Sequence, residues 1–391
     1  MAKYIEVQKI KKSIRKIREI FGDDCDFVKS FDLLVDSYSE DSKISEQGGQ
    51  ISNTAFNRRI DTLHKILATV QEIPEVLQVP IKCPLFITGN MRTGSTFLHH
   101  LLSLDSAFLS PPVWQFENPS PFPVDFKEER MKDFQPIADL WNSRPGFTAV
   151  HPAFTPLSIE ECFWIFFRTG VWRDANTSML NSDSYIDWYE NMTQQEELRI
   201  IRHYKKELQI IAFKQGNDDM SYIRKDSYHL RFLPTLLEVF PDARIVHLVR
   251  DAAANLASIC SISYIVATLI YDEKDIDRVK IGKLAMRYSK FGMRKFLEYR
   301  KIYDAQLKPG ERSVFYDVKY ESLLADPVET MSKIYSHFEM DLIDETKEKV
   351  GVYLDDCSKN WKATYPHSLE NFGITQNDVD EMYHDYMKYF G

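Results

Sequence analysis

Residues 87–96 read ITGNMRTGST, with an apolar run, PLFIT from Pro84, entering the stretch and FLHHLLSLD from Phe97 leaving it. The order is strand, glycine turn, helix. Gly89 and Gly94 stand at the G-x-x-x-x-G spacing of a loop that points backbone N–H groups and the positive end of a helix dipole at one spot, which makes it an anion site. A phosphate-cradling loop of the G-x-x-x-x-G-K-[ST] kind carries a lysine after the second glycine, where it neutralises the β and γ phosphates of a magnesium-bound triphosphate. Ser95 stands there instead, and Arg92 within the loop is the local cation, with a planar fork of donors.

A second basic element lies downstream in RIVHLVRD, residues 244–251. This apolar strand ends in Arg250, where an ATP-dependent enzyme would place a magnesium-binding carboxylate; Asp251 comes only next in line. The two elements together suit an anion that arrives without metal. A kinase built on the same loop, or a non-catalytic nucleotide-binding protein, are the alternatives.

Between and around these elements the chain alternates short apolar strands with helices. PLFIT, YIRKD (222–226), ARIVHLV (243–249) and RSVFYDVKY (312–320) read as strands, and helices are read after the first, the third (from about Ala252) and the fourth (around PVETMSKIYSHF). That alternation predicts an α/β fold, a parallel sheet covered on both faces, with ligands at the carboxyl ends of the strands. Residues 1–80 read as a helical extension packed on the main domain and 81–391 as the α/β domain. In the extension Ile10, Ile14, Ile17 and Phe21 share one helix face, ringed by Lys9, Lys11, Lys12, Arg15, Lys16 and Arg18. Such a basic amphipathic helix can dock on anionic lipid, although charge runs more often simply face water. The polar stretch SYSEDSKISEQGGQISN (37–53) separates it from a second amphipathic helix around Arg58 to Val70. Residues 125–215, rich in Trp, Phe and Tyr, read as helical and irregular structure over one end of the sheet, a lid and acceptor wall. Residues 261–307 are a second helical candidate for that job.

The bulk numbers limit the partners. The chain has 391 residues, 44% hydrophobic, with a formal charge of −9, so a large core is expected, and the negative charge argues against nucleic acid as a general partner. The five cysteines are scattered without a C-x-x-C pair, so neither a disulfide framework nor a zinc site is expected and a reducing cytoplasm suits them. No uncharged apolar run reaches membrane-spanning length.

At Arg250 and Ser258, eight residues apart in VRDAAANLAS, the sequence resembles the sulfotransferases that use 3′-phosphoadenosine 5′-phosphosulfate. In that family the first loop binds the 5′-phosphosulfate and the second signature binds the 3′-phosphate. The resemblance continues in VKYESLLADP (318–327), in RKDSYHLRFLPTLLEVFPDARIVHLVRD (224–251), and in PLSIEECFWIFF (156–167) and HSLENFGITQNDVDEMYHDYMKYF (367–390), the last two of the bacterial-type branch. Ala252 and Ser227 stand where relatives commonly have proline. The resemblance implies that Arg92, Thr93, Gly94, Ser95, Thr96, Phe97, Arg250, Ser258 and Tyr320 hold the donor, Tyr320 on its adenine side. It also implies that no metal is needed.

Sulfuryl transfer then asks for fixed donors around the departing phosphate oxygen, from Arg92, the Thr93–Thr96 amides and the Ser95 and Thr96 hydroxyls. It also asks for a base within reach of the acceptor hydroxyl. His151 ranks first, in the aromatic loop FTAVHPAFTPLSIEE beside Glu160 and Glu161, one of which can orient the imidazole. His229 is second, following Lys225, and Glu117 third; His99 and His100 read as helix residues behind the loop. The density of aromatic residues points to an apolar acceptor, an alcohol on a lipid-like small molecule.

Overall fold

The computed structural model describes residues 3–119, 127–213, 220–360 and 368–391. Residues 125, 126, 214 and 215 of the expected lid, and His367 of the C-terminal resemblance, lie outside them.

Five parallel strands form one sheet in the order β2-β3-β1-β4-β5. These are β1 (Leu85–Gly89), β2 (Phe108–Leu109), β3 (Ser221–Lys225), β4 (Arg244–Val249) and β5 (Phe315–Lys319). All four strands read from sequence are present. The two-residue edge strand β2 is too short to carry a period and was not legible. β1 is central and buried along its whole length, which explains its unbroken apolar run, since a strand covered on both faces has no reason to alternate.

Register sets the site. Ile87 lies opposite Lys225 of β3 and Val246 of β4, and Gly89 lies opposite Leu248. The turn after β1 therefore emerges between the tips of β3 and β4, which end in Lys225 and run into Arg250. One face of the sheet packs Ile87, Ile223, Val246 and Val318 against Leu98, Leu101, Met331 and Ile334. Phe86, Ile245 and Phe315 on the other face join the largest core, which includes the helices Gln194–Ala212, Tyr228–Val239, Ala252–Ala267, Arg278–Gln306 and Gln376–Phe390.

The first three helices, Val7–Phe21, Val28–Glu40 and Glu46–Glu72, share that core. The predicted face of the first is turned inward, with Ile10, Ile14 and Ile17 buried. Part of its basic side is spent on neighbours: Lys11 and Arg15 reach Asp36 and Asp32 at 2.5 Å, and Arg18 reaches Asp23 at 3.0 Å. The stretch read as a polar separator is instead largely helical. Its end belongs to a 27-residue helix capped by Ser45, whose side chain accepts from Gly48 N. The two glycines of this helix allow close approach: a Cβ on Gly48 would sit 2.0 Å from the Ile270 carbonyl oxygen, and one on Gly49 2.4 Å from the Tyr4 Cβ. Tertiary contact overrides their poor helix propensity. Among the described residues no helix is long and apolar enough to cross a membrane.

Candidate active site

The turn after β1 carries two backbone conformations that define the cradle. Gly94 has φ 87°, and a Cβ there would lie 2.6 Å from Cδ2 of Tyr320, so the loop passes hard against that ring. Arg92 has φ 67°, a left-handed conformation that costs a non-glycine residue about 1–2 kcal/mol. The helix Ser95–Leu102 starts from Gly94 without a side-chain cap, and its first intrahelical bond is Leu98 N–H to Gly94 O, 3.1 Å. The amides of Ser95, Thr96 and Phe97 precede that bond and are the donors a helix N-terminus offers to an anion.

The second basic element closes on the first. Arg250 donates from Nη1 to the Arg92 carbonyl at 2.7 Å, and its guanidinium lies 4.4 Å from the centroid of the Tyr320 ring. Arg92 in turn donates from Nε to the Ser258 hydroxyl at 3.1 Å and from Nη2 to the Val150 carbonyl. Burial, followed by repulsion from Arg250, lowers the pKa of Arg92 against the pull of Glu161. Ser258 lies two turns into the helix Ala252–Ala267. Asp251 caps that helix by accepting from Ala254 N at 2.9 Å, which supplies the start signal that the absent proline would have given. The expected members Arg92, Gly94, Arg250, Ser258 and Tyr320 thus meet in one contact set. Thr93 is buried, with its hydroxyl on the Asn90 carbonyl at 2.9 Å, and Phe97 leans on the core beside β1.

Sequence reasoning placed the first loop's cation at Arg92, whose side chain instead turns between the two loops. The cation bonded to the loop helix is Lys225, at the tip of β3, donating from Nζ to Thr96 Oγ1 and to Glu161 Oε1, each at 2.9 Å. Glu161 also binds Arg173. Burial acts to raise the Glu161 pKa, but Lys225 and Arg173 hold its carboxyl well below the usual carboxylate range. The adjoining Asp226 goes the other way: burial and then Glu161 push it up to about 7. The signal for Lys225 was present, a lysine closing a strand two residues before the Ser227 departure, but nothing local shows that β3 pairs with β1 and brings the two tips together.

The three base candidates part company here. His151 sits beside the cradle, one residue from the carbonyl that Arg92 holds. Its Nδ1–H donates to the Pro152 carbonyl at 2.8 Å, its ring stacks on Phe147 with centroids 5.1 Å apart, and Nε2 lies 3.5 Å from Glu160 Oε1. Burial acts to raise the Glu160 pKa, yet His151 and Lys225 bring it below its ordinary value. His229 is fully buried among the rings of Phe86, Phe166 and Tyr204, and burial pushes it down to about 3. Glu117 is buried too, clasped by Arg58 and Arg59 of the long N-terminal helix. Both side chains are committed to the interior. His99 is also buried, with Nε2 3.0 Å from Ser110 Oγ, while His100 Nδ1 meets the Tyr353 hydroxyl at 3.0 Å. Trp114, Trp164, Trp172, Tyr185 and Tyr189 are core residues, so most of the aromatic density is interior packing.

The helix amides and a strand-tip lysine thus stand beside a second strand-tip arginine and its helix serine, cross-linked through Arg92. The chain belongs to the sulfotransferase family, whose sequence model matches residues 84–345. Two mycobacterial relatives, from Mycobacterium bovis and Mycobacterium tuberculosis, each an omega-hydroxy-beta-dihydromenaquinone-9 sulfotransferase Stf3, are 24% identical to it over 323 residues, covering 79% of this chain and 75% of theirs. Among solved structures, sulfotransferase STF1 from Mycobacterium tuberculosis superposes with a TM-score of 0.76 at 25% identity, covering 98% of this chain and 100% of that one. The fold is likewise that of sulfotransferase STF9 from Mycobacterium avium, with a TM-score of 0.79 at 22% identity over 99% and 97% of the two chains. The protein is a sulfotransferase with the P-loop-type α/β fold of these neighbours.

Proposed function

We propose that the protein transfers the sulfuryl group of 3′-phosphoadenosine 5′-phosphosulfate to the hydroxyl of an apolar, lipid-like small molecule, in the cytoplasm and without a metal. The observation that carries this reading is the pair of cross-links between the loops, Arg250 to the Arg92 carbonyl and Arg92 to the Ser258 hydroxyl. They bring two basic elements of distant sequence to one place, as a donor with a phosphate at each end requires. Arg250, Arg92 and Ser258 would receive the 3′-phosphate, and Tyr320, stacked under Arg250, would bound the adenine side. The amides of Ser95 to Phe97 and the hydroxyl of Thr96 would hold the 5′ end.

When bound, the donor supplies an activated S–O bond to a phosphate leaving group. Lys225, at the mouth of the loop, meets the charge that grows on the departing oxygen, and it works from a buried position where water does not screen it. His151 takes the acceptor proton on Nε2 as the new O–S bond forms and the old one breaks. Pro152 fixes the tautomer and Glu160 faces the resulting imidazolium. For the acceptor class, the substrate named for the mycobacterial relatives is a hydroxylated menaquinone derivative, and the aromatic loop around Phe147, His151 and Phe154 is a fitting wall for such an alcohol.

Thermal denaturation with 3′,5′-bisphosphoadenosine against magnesium-ATP tests the donor. A ligand at about 100 times its Kd adds about 2.7 kcal/mol to the folded state. Stabilisation by the bisphosphate is expected, and preferential stabilisation by magnesium-ATP would overturn the reading. Labelled donor with a panel of lipid alcohols and sugars tests the acceptor.

A further inference from the structure

Next to the first loop, three polar side chains from three distant segments form a buried, hydrogen-bonded set. Asn90 is the first residue after β1, Asn255 lies between Arg250 and Ser258 on the second loop's helix, and Tyr383 belongs to the C-terminal helix Gln376–Phe390. Asn90 donates from Nδ2 to Asn255 Oδ1 at 2.9 Å and to the Tyr383 hydroxyl at 3.0 Å, and that hydroxyl donates to Asn255 Oδ1 at 3.0 Å. All three are at most 4% exposed. The remaining groups of the two amides face the loop: Asn90 Oδ1 accepts from Met91 N at 3.0 Å, and Asn255 Nδ2 donates to the Met91 carbonyl at 2.5 Å.

We propose that Tyr383 is a positioning residue for donor binding: it orients the Asn90–Asn255 pair, which holds Arg92 in its left-handed conformation and so keeps the two anion loops in one fixed register. The inference rests on the two-ended donor site proposed above. The peptide carbonyls on either side of the Arg92 φ angle are both held by the second loop, that of Met91 by Asn255 and that of Arg92 by Arg250. A residue with a Cβ does not keep φ near 67° on its own account, so the conformation persists because these two bonds impose it. Each amide has rotamers that would lose the set. The tyrosine hydroxyl accepts from the Asn90 N–H and donates to the Asn255 oxygen, and so favours the rotamers that present those two atoms. The C-terminal helix thereby reaches donor chemistry without touching the donor.

The test is Tyr383→Phe, which removes one oxygen and keeps the ring, with Tyr386→Phe as control. Tyr386 is on the same helix and equally buried, but its hydroxyl bonds His247 Nε2 at 2.5 Å, remote from the loop carbonyls. Both variants are expected to melt a little below wild type. Only Tyr383→Phe should weaken 3′,5′-bisphosphoadenosine, raising Kd and donor KM by about fivefold to tenfold, the scale of one buried hydrogen bond, while kcat at saturating donor stays near wild type. Equal weakening in both variants would overturn the proposal, since it would reflect general loosening of the helix. Wild-type affinity in Tyr383→Phe would do so as well. If wild type itself does not bind the bisphosphate, the donor reading falls and this inference falls with it, an outcome distinct from a normal wild type with an unaffected variant.

Discussion

Gly94→Ala tests the cradle most directly, because its cost separates into two parts that the structure quantifies. With φ at 87°, an alanine pays the left-handed penalty of about 1–2 kcal/mol. In addition its Cβ would lie 2.6 Å from Cδ2 and 2.8 Å from Cε2 of Tyr320, so the ring has to move. That ring carries the Arg250 guanidinium 4.4 Å from its centroid, a contact worth about 0.5–1 kcal/mol at a partly exposed site. Gly310 supplies the matched control: its φ is 82°, and an alanine there would meet no described atom within 4 Å. Urea denaturation of Gly310→Ala should therefore register the backbone penalty alone, and Gly94→Ala should exceed it by about 1 kcal/mol. Titration calorimetry with 3′,5′-bisphosphoadenosine should show wild-type affinity for Gly310→Ala and about tenfold weaker binding for Gly94→Ala, since displacing Tyr320 disturbs Arg250. Gly94→Ala binding the bisphosphate as tightly as Gly310→Ala would refute the argument that Tyr320 and the loop form one surface.

Three further outcomes follow from the buried charges. Glu117→Ala leaves Arg59 buried without its carboxylate and should cost about 3–5 kcal/mol by chemical denaturation, while turnover per folded molecule is retained; loss of turnover without loss of stability would return Glu117 to catalysis. Asp226 inverts the usual carboxylate linkage. Its folded pKa, pushed up to about 7 by burial and then Glu161, lies above the ordinary 3.8, so stability present below pH 4 is lost as pH rises toward 7. Asp226→Asn keeps an acceptor for the Tyr228 amide, bonded at 2.9 Å; it should flatten the wild-type fall between pH 4 and 7 and be the more stable protein at pH 8, and an unchanged slope would count against the assignment. His229, held neutral down to about pH 3, destabilises the fold as pH drops below 6.5, where the unfolded chain takes up the proton first. His229→Leu should resist acid better and keep turnover within about tenfold, whereas losing a general base costs about 10²- to 10⁴-fold; a collapse of turnover would reinstate it.

Much of this molecule is written locally. The strand–glycine–helix order of residues 84–105 and the arginine at the tip of β4 follow from apolar runs and turn residues, and they led to the fold and the anion cradle because strand burial and loop conformation depend on near neighbours. Helix boundaries were harder: the polar stretch 37–53 read as a separator and lies largely within helices, since what Gly48 accommodates is the Ile270 carbonyl, more than two hundred residues away. The residues of the candidate site divide in the same way. Lys225, Glu161 and Tyr383 acquire their meaning from which strands pair and which helix packs beneath them, while His229 and Glu117, persuasive as residue types, are withdrawn into rings and ion pairs. A side chain's identity gives its chemistry, but its pKa and reach depend on neighbours that only the folded chain assembles, so the two basic loops were legible in one dimension and the lysine bonded to the first of them was not.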